Sequence, residues 1–105
     1  MNTHLSLKII RQIQKQPAQS QRGLSGQCGV SLGSIHCCLK ELIKKGYIKA
    51  KNFKNAKNKV AYSYILTASG ITLKKKLTMK FLQHKQKEYE MLQQEIKELE
   101  EDLAQ

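Results

Sequence analysis

Residues 29–53 read GVSLGSIHCCLKELIKKGYIKAKNF, and a change of period inside this stretch decides the fold. Gly29 can take the left-handed conformation that closes a preceding helix, and Val30 follows as a buried turn residue. Ser31 is placed to cap a helix over residues 32–45. Within it Leu32, Ile35, Leu39, Leu42 and Ile43 recur at helical spacing and form an inward face. The outward face offers Ser31, Gly33, Ser34, His36, Cys37, Lys40, Glu41 and Lys44, and Gly46 stops the helix. Beyond Gly46 the period changes. Residues 47–53 predict a strand, 54–58 a polar loop and 60–66 (VAYSYIL) a return strand, which together make a hairpin with a lysine- and asparagine-rich tip.

Upstream, residues 5–15 predict a helix that carries Leu5, Ile9, Ile10 and Ile13 on one face and ends before Pro17. Ser20 caps a second, short helix that ends near Cys28. Its Gly23 and Gly26 each cost about 1 kcal/mol relative to Ala, so the helix depends on tertiary packing through Leu24 and Cys28. Downstream, Thr67 opens a last helix with no Pro or Gly after Gly70. It can reach residue 104, roughly 50–55 Å at the usual rise. Leu73, Leu77 and Phe81 form one row. Tyr89, Leu92, Ile96, Leu99 and Leu103 follow at 3-4-3-4 spacing, a seam of about two heptads.

The predicted class is therefore mainly α (α+β). Residues 1–70 form a winged helix-turn-helix domain, and residues 71–105 a long, coiled-coil-like C-terminal helix for dimerisation through Leu82, Tyr89, Leu92, Ile96, Leu99 and Leu103.

Charge narrows the function. The chain of 105 residues has a formal net charge of +11. Residues 1–87 contain 18 of the 19 Lys and Arg and a single acid, Glu41, for +17, whereas residues 88–105 carry −6. A basic body with a short acidic tail attracts polyanions, nucleic acid above all. Three cysteines, two of them adjacent, make no disulfide framework and suit a reducing compartment. With no signal-peptide pattern and no membrane-length apolar run, the expectation is a soluble cytoplasmic protein without a membrane partner.

In such a plan the third helix enters the major groove of duplex DNA, the second crosses the backbone, and the hairpin reaches phosphates or the minor groove. The candidate DNA-binding residues follow. Ser31 and Gly33 mark a helix N-terminus suited to a phosphate, where Gly33 permits close approach. Ser34, His36, Cys37, Lys40 and Lys44 face base edges or phosphates, and Ser20, Gln21 and Arg22 anchor a flanking phosphate. The wing adds Lys51, Asn52, Lys54, Asn55, Lys57, Asn58 and Lys59.

The chain resembles the MarR-type winged-helix transcriptional regulators, most closely a short subgroup associated with exopolysaccharide gene clusters. The likeness spans roughly residues 5–104. It is carried by SQRGL (20–24), the segment 29–59, YILTASG (64–70) and LTMKFLQHKQKEYE (77–90). The sequence departs from that pattern at Gly23, Gly26, Ser34, His36 and Cys37. The resemblance implies a dimeric regulator of transcription near polysaccharide biosynthesis genes. Relatives of this type often bind small phenolic compounds between the dimer helices and the DNA-binding domain. Here the short first helix argues against a sizeable pocket, and any effector is unknown.

Other readings are weaker. No cofactor and no metal are expected, because His36, Cys37 and Cys38 point about 100° apart along a helix and cannot converge on one ion. Cys38 and Cys28 are expected to pack as small hydrophobes, while Cys37 beside Lys40 stays open as a redox-sensing thiol. His84 is expected to be solvated. Tyr47, Tyr62 and Tyr64 are expected to pack the hairpin rather than stack on bases. With one carboxylate in 87 residues there is no acid/base pair for an enzyme. A winged-helix protein-interaction module and a non-specific architectural nucleic-acid binder remain the alternatives. A parallel C-terminal coil would oppose Glu95 and Glu100, so an antiparallel or folded-back contact is expected, with Lys85 interrupting the seam.

Overall fold

The computed structural model describes residues 2–54 and 60–105, with side chains outside 52–62. The order is α1 (Thr3–Lys15), α2 (Gln21–Cys28), α3 (Leu32–Lys44), β1 (Ile48–Lys54), β2 (Val60–Leu66) and α4 (Ala68–Ala104). Each helix starts on a side-chain cap. Asn2 Oδ1 accepts from the Leu5 N–H at 3.0 Å, which starts α1 two residues before its apolar row. Ser20 and Ser31 cap α2 and α3, and Thr67 caps α4 through the Gly70 N–H at 3.1 Å. Gly29 and Gly46 close α2 and α3 with φ of 68° and 79°, a region that glycine enters without a Cβ clash.

The core is aliphatic. Ile9, Ile10 and Ile13 of α1 meet Leu24 of α2, Ile35, Leu39 and Leu42 of α3 and Ile48 of β1, all sealed from solvent. Cys28 and Cys38 are buried in the same cluster. The inward face expected for α3 needs correction at both ends. Cys38 packs inward as expected, whereas Leu32 and Ile43 are 42% and 38% exposed, because the helix packs on a narrower stripe than the apolar pattern suggests. Val30 is half-buried against the core rather than fully buried. Gln19, a polar residue in the α1–α2 loop, is 7% exposed.

The hairpin pairs Ile48 with Leu66 and Lys54 with Val60, antiparallel. Ile48 and Tyr64 point into the core, as period two requires. The expected strand start at Tyr47 moves to Ile48 because the Tyr47 backbone is engaged elsewhere. Its N–H donates to the Leu42 carbonyl at 2.9 Å, and its carbonyl accepts from the Thr67 N–H at 3.0 Å. Tyr47 and Tyr64 do pack the hairpin base, whereas Tyr62 lies outside the described side chains. The Tyr64 N–H donates to the Pro17 carbonyl at 3.0 Å, which ties the hairpin to the α1–α2 loop.

α4 is one helix of 37 residues. Leu73 and Leu77 pack toward the core, and Phe81 is half-buried with its ring centroid 5.0 Å from that of His4. Lys74 Nζ donates to Gln14 Oε1 across the α1–α4 contact. The folded-back arrangement is not formed, because α4 continues unbroken to Ala104 and residues 82–105 are exposed. Among the described residues no helix is long and apolar enough to cross a membrane.

Two glycine substitutions should act in opposite directions. A Cβ at Gly26 meets nothing within 4 Å. Gly26→Ala should therefore raise unfolding free energy by about 0.5–1 kcal/mol in denaturant titration. A Cβ at Gly70 would lie 2.1 Å from the Tyr47 carbonyl oxygen and 2.5 Å from Leu66 Cδ1. Gly70→Ala should lower stability by about 2 kcal/mol or more in the same assay.

Candidate nucleic-acid interface

Packing sets which side of α3 remains available. Ile35, Cys38, Leu39 and Leu42 anchor it on the core. This leaves Ser31, Gly33, Ser34, His36, Cys37, Lys40 and Lys44 together on the exposed side. Leu32 and Lys45, at the two ends of the helix, are exposed as well. The sequence reading missed Lys45, whose signal was its position in the basic pair that ends the helix.

The start of α3 is capped by serine. Ser31 Oγ accepts from the Ser34 N–H at 3.1 Å and donates to Ser34 Oγ at 2.9 Å. The Ser34 hydroxyl is thus part of the cap as well as of the exposed face. A Cβ at Gly33 would have only Ser31 Oγ within reach, at 4.0 Å, so the face is open there. Free N–H groups and the helix dipole favour negative charge at this end. Ser20 and Arg22 are exposed at the start of α2, and Gln21 is half-buried. Lys49 and Lys51 extend the exposed cations onto β1. For Asn52 and Lys54 only the backbone is described, and Asn55, Lys57, Asn58 and Lys59 lie outside the described residues.

The exposed acid in this region is already committed. Glu41 Oε1 lies 3.1 Å from Lys45 Nζ, and that hydrogen bond and charge hold its carboxyl below the usual carboxylate range. The contact is therefore lost only as pH falls through that lowered value.

The three cysteines divide by environment. Burial pushes the Cys28 thiol up, against a smaller opposite pull from the Lys8 charge. Burial also raises Cys38, partly offset by the Ser6 hydroxyl 3.4 Å away. Cys37 is exposed on the candidate interface. Among the described residues, no group of three His, Cys, Asp or Glu side chains is placed to hold a metal ion. His84 is exposed, as expected.

The pocket expectation needs correction. An open groove of about 470 Å³ runs between the first turns of α1 and the middle of α4, lined by His4, Leu7, Leu77, Lys80, Phe81 and His84 among others. It exists because α4 continues past the N-terminal end of α1, so the trough between Leu7 and Phe81 has no further helix over it.

Residues 3–49 match the sequence family described as winged helix-turn-helix DNA-binding. These residues hold the three helices, and with the hairpin β1–β2 that follows the fold is that of a winged helix. The structure is similar to the adhesin competence repressor AdcR from Streptococcus pyogenes, with TM-score 0.67 and 18% identity over 90% of this chain and 66% of that one. It is similar to the PcaV transcriptional regulator from Streptomyces coelicolor, with TM-score 0.64 and 15% identity over 77% of this chain and 56% of that one. It is also similar to wild-type MarR from E. coli, with TM-score 0.57 and 22% identity over 70% of this chain and 53% of that one. At these identities the likeness is one of fold. The winged-helix chain spans little more than half the length of PcaV and MarR. No curated protein matches its sequence.

The winged-helix core should discriminate among its thiols. An alkylating reagent near neutral pH should label Cys37 first, with Cys28 and Cys38 reacting only after denaturation. Mass spectrometry reads the order, and early labelling of Cys38 would contradict its burial.

Proposed function

We propose that the protein regulates transcription by binding duplex DNA as a homodimer. In this reading α3 lies in the major groove, α2 crosses the backbone, and the hairpin reaches flanking phosphates or the minor groove. The observation that carries it is the open outer face of α3. It combines the serine-capped helix N-terminus, open at Gly33, with Lys40 and Lys44, within a stretch of 87 residues that holds one acid. The match of residues 3–49 to a DNA-binding winged-helix family supports the same conclusion.

Ser34, His36, Cys37 and Lys40 are the proposed groove contacts. Ser20, Gln21 and Arg22 are assigned to one flanking phosphate, and the cations and asparagines of 51–59 to another. The exposed apolar row from Leu82 to Leu103 is the proposed dimer surface. Control of exopolysaccharide genes is the finer proposal, and its support is the sequence resemblance along 20–90.

A binding titration tests this function. A regulator shows a steep salt slope together with at least roughly 10³-fold preference for one site, sought first in the DNA upstream of its own gene. A slope without preference would replace the regulator with an architectural binder. Lys40→Ala should weaken binding to every sequence and flatten the slope by about one unit, as loss of one phosphate contact does. An unchanged slope would move the interface away from α3.

A further inference from the structure

We infer that two copies of α4 pair antiparallel, centred near residue 87, so that the acidic end of each lies along the basic 74–87 stretch of the other. This rests on the dimeric reading above and gives the antiparallel expectation a register.

Carried back from Tyr89 at the same 3-4 spacing, the seam runs through Lys85, Leu82, Thr78, Lys75 and Ile71. It is a different face from the row Leu73, Leu77 and Phe81 that packs toward the core. Along it Ile71, Leu82, Tyr89, Leu92, Ile96 and Leu99 are between 46% and 64% exposed. An apolar stripe about 48 Å long on a single helix asks for another helix of matching length. A second copy of α4 supplies one.

Charge selects the orientation. A parallel pair would set Lys75 against Lys75 and Lys85 against Lys85 in the seam, with Glu95 facing Glu100 at its edge. The antiparallel pair removes all three conflicts. Ile71 then meets Leu103, Thr78 meets Ile96 and Leu82 meets Leu92. Lys75 and Lys85 lay their aliphatic stems against Leu99 and Tyr89 and keep their ammonium groups in water. Lys74 comes opposite Asp102. Near the axis Glu88 approaches its own copy, and Lys85 Nζ, 3.3 Å from Glu88 Oε2, offsets that repulsion.

Disulfide trapping tests the register. In the full chain carrying Cys37→Ala, Thr78→Cys and Ile96→Cys are made as separate proteins, mixed and mildly oxidised. The mixed disulfide should exceed either self-linked product by about tenfold or more in mass spectrometry. Self-linked dimers in excess would show a parallel pair, overturning the orientation while leaving a dimeric DNA binder intact. A dimer that forms no mixed disulfide would overturn the register. The unaltered protein supplies the second measurement. Its dimer in sedimentation should weaken several-fold as salt rises from about 0.05 M to about 0.5 M, because attraction is screened. Strengthening with salt would overturn the charge pairing, and a monomer at all salts would overturn both this inference and the dimeric reading.

Discussion

The turn at Gly46 and Tyr47 is clasped by the first turn of α4, and the rest of the arrangement depends on this contact. The Gly46 carbonyl accepts from the Thr67 hydroxyl at 2.6 Å and from the Ser69 hydroxyl at 3.0 Å. The Tyr47 carbonyl accepts from the Thr67 N–H, and Gly70 approaches so closely that no side chain fits between. Three elements meet there: the end of α3, the base of the hairpin and the start of α4. The Thr67 and Ser69 hydroxyls and the Thr67 N–H occupy the Gly46 and Tyr47 carbonyls and so tie the three elements together. The clasp fixes where the exposed face of α3 points relative to both the hairpin and the long helix.

From that junction α4 serves two purposes on two faces. Its first turns close the core with Leu73 and Leu77, and Lys74 bonds Gln14 across to α1. Its remaining length stands clear of the domain, in a molecule extended to 71 Å along its longest axis. A single amphipathic helix cannot bury its own stripe, and the apolar seam lies exposed. The change from basic to acidic near residue 88 gives this helix a direction that a partner can read. The same charge division leaves the winged-helix end strongly cationic, which is what a phosphate backbone recognises.

Much of this was legible in the residues. The caps at Ser20, Ser31 and Thr67 and the closures at Gly29 and Gly46 were readable because each depends on a local hydrogen bond or a local backbone angle. The limits of β2 and α4 were readable for the same reason. The exposed face of α3 followed from its period. The misplaced residues were those whose environment is set from a distance. Leu32 and Ile43 look apolar and inward in a helical pattern, but no neighbouring element reaches the ends of α3 to cover them. The inward packing of Cys38 was expected, and only its contact with Ser6 of α1, 32 positions apart in sequence, was not legible.

The sequence by itself determined the order of the elements, the charge division between body and tail, and the apolar seam, because composition and periodicity are local properties that no packing alters. Only the tertiary structure decided that Leu32 and Ile43 at the ends of α3 stay exposed and that Tyr47 leaves the strand to join the clasp. The tertiary structure also opened the groove between α1 and α4. Those outcomes depend on how closely separate helices approach, and that distance is set by side chains far apart in the chain meeting in one core.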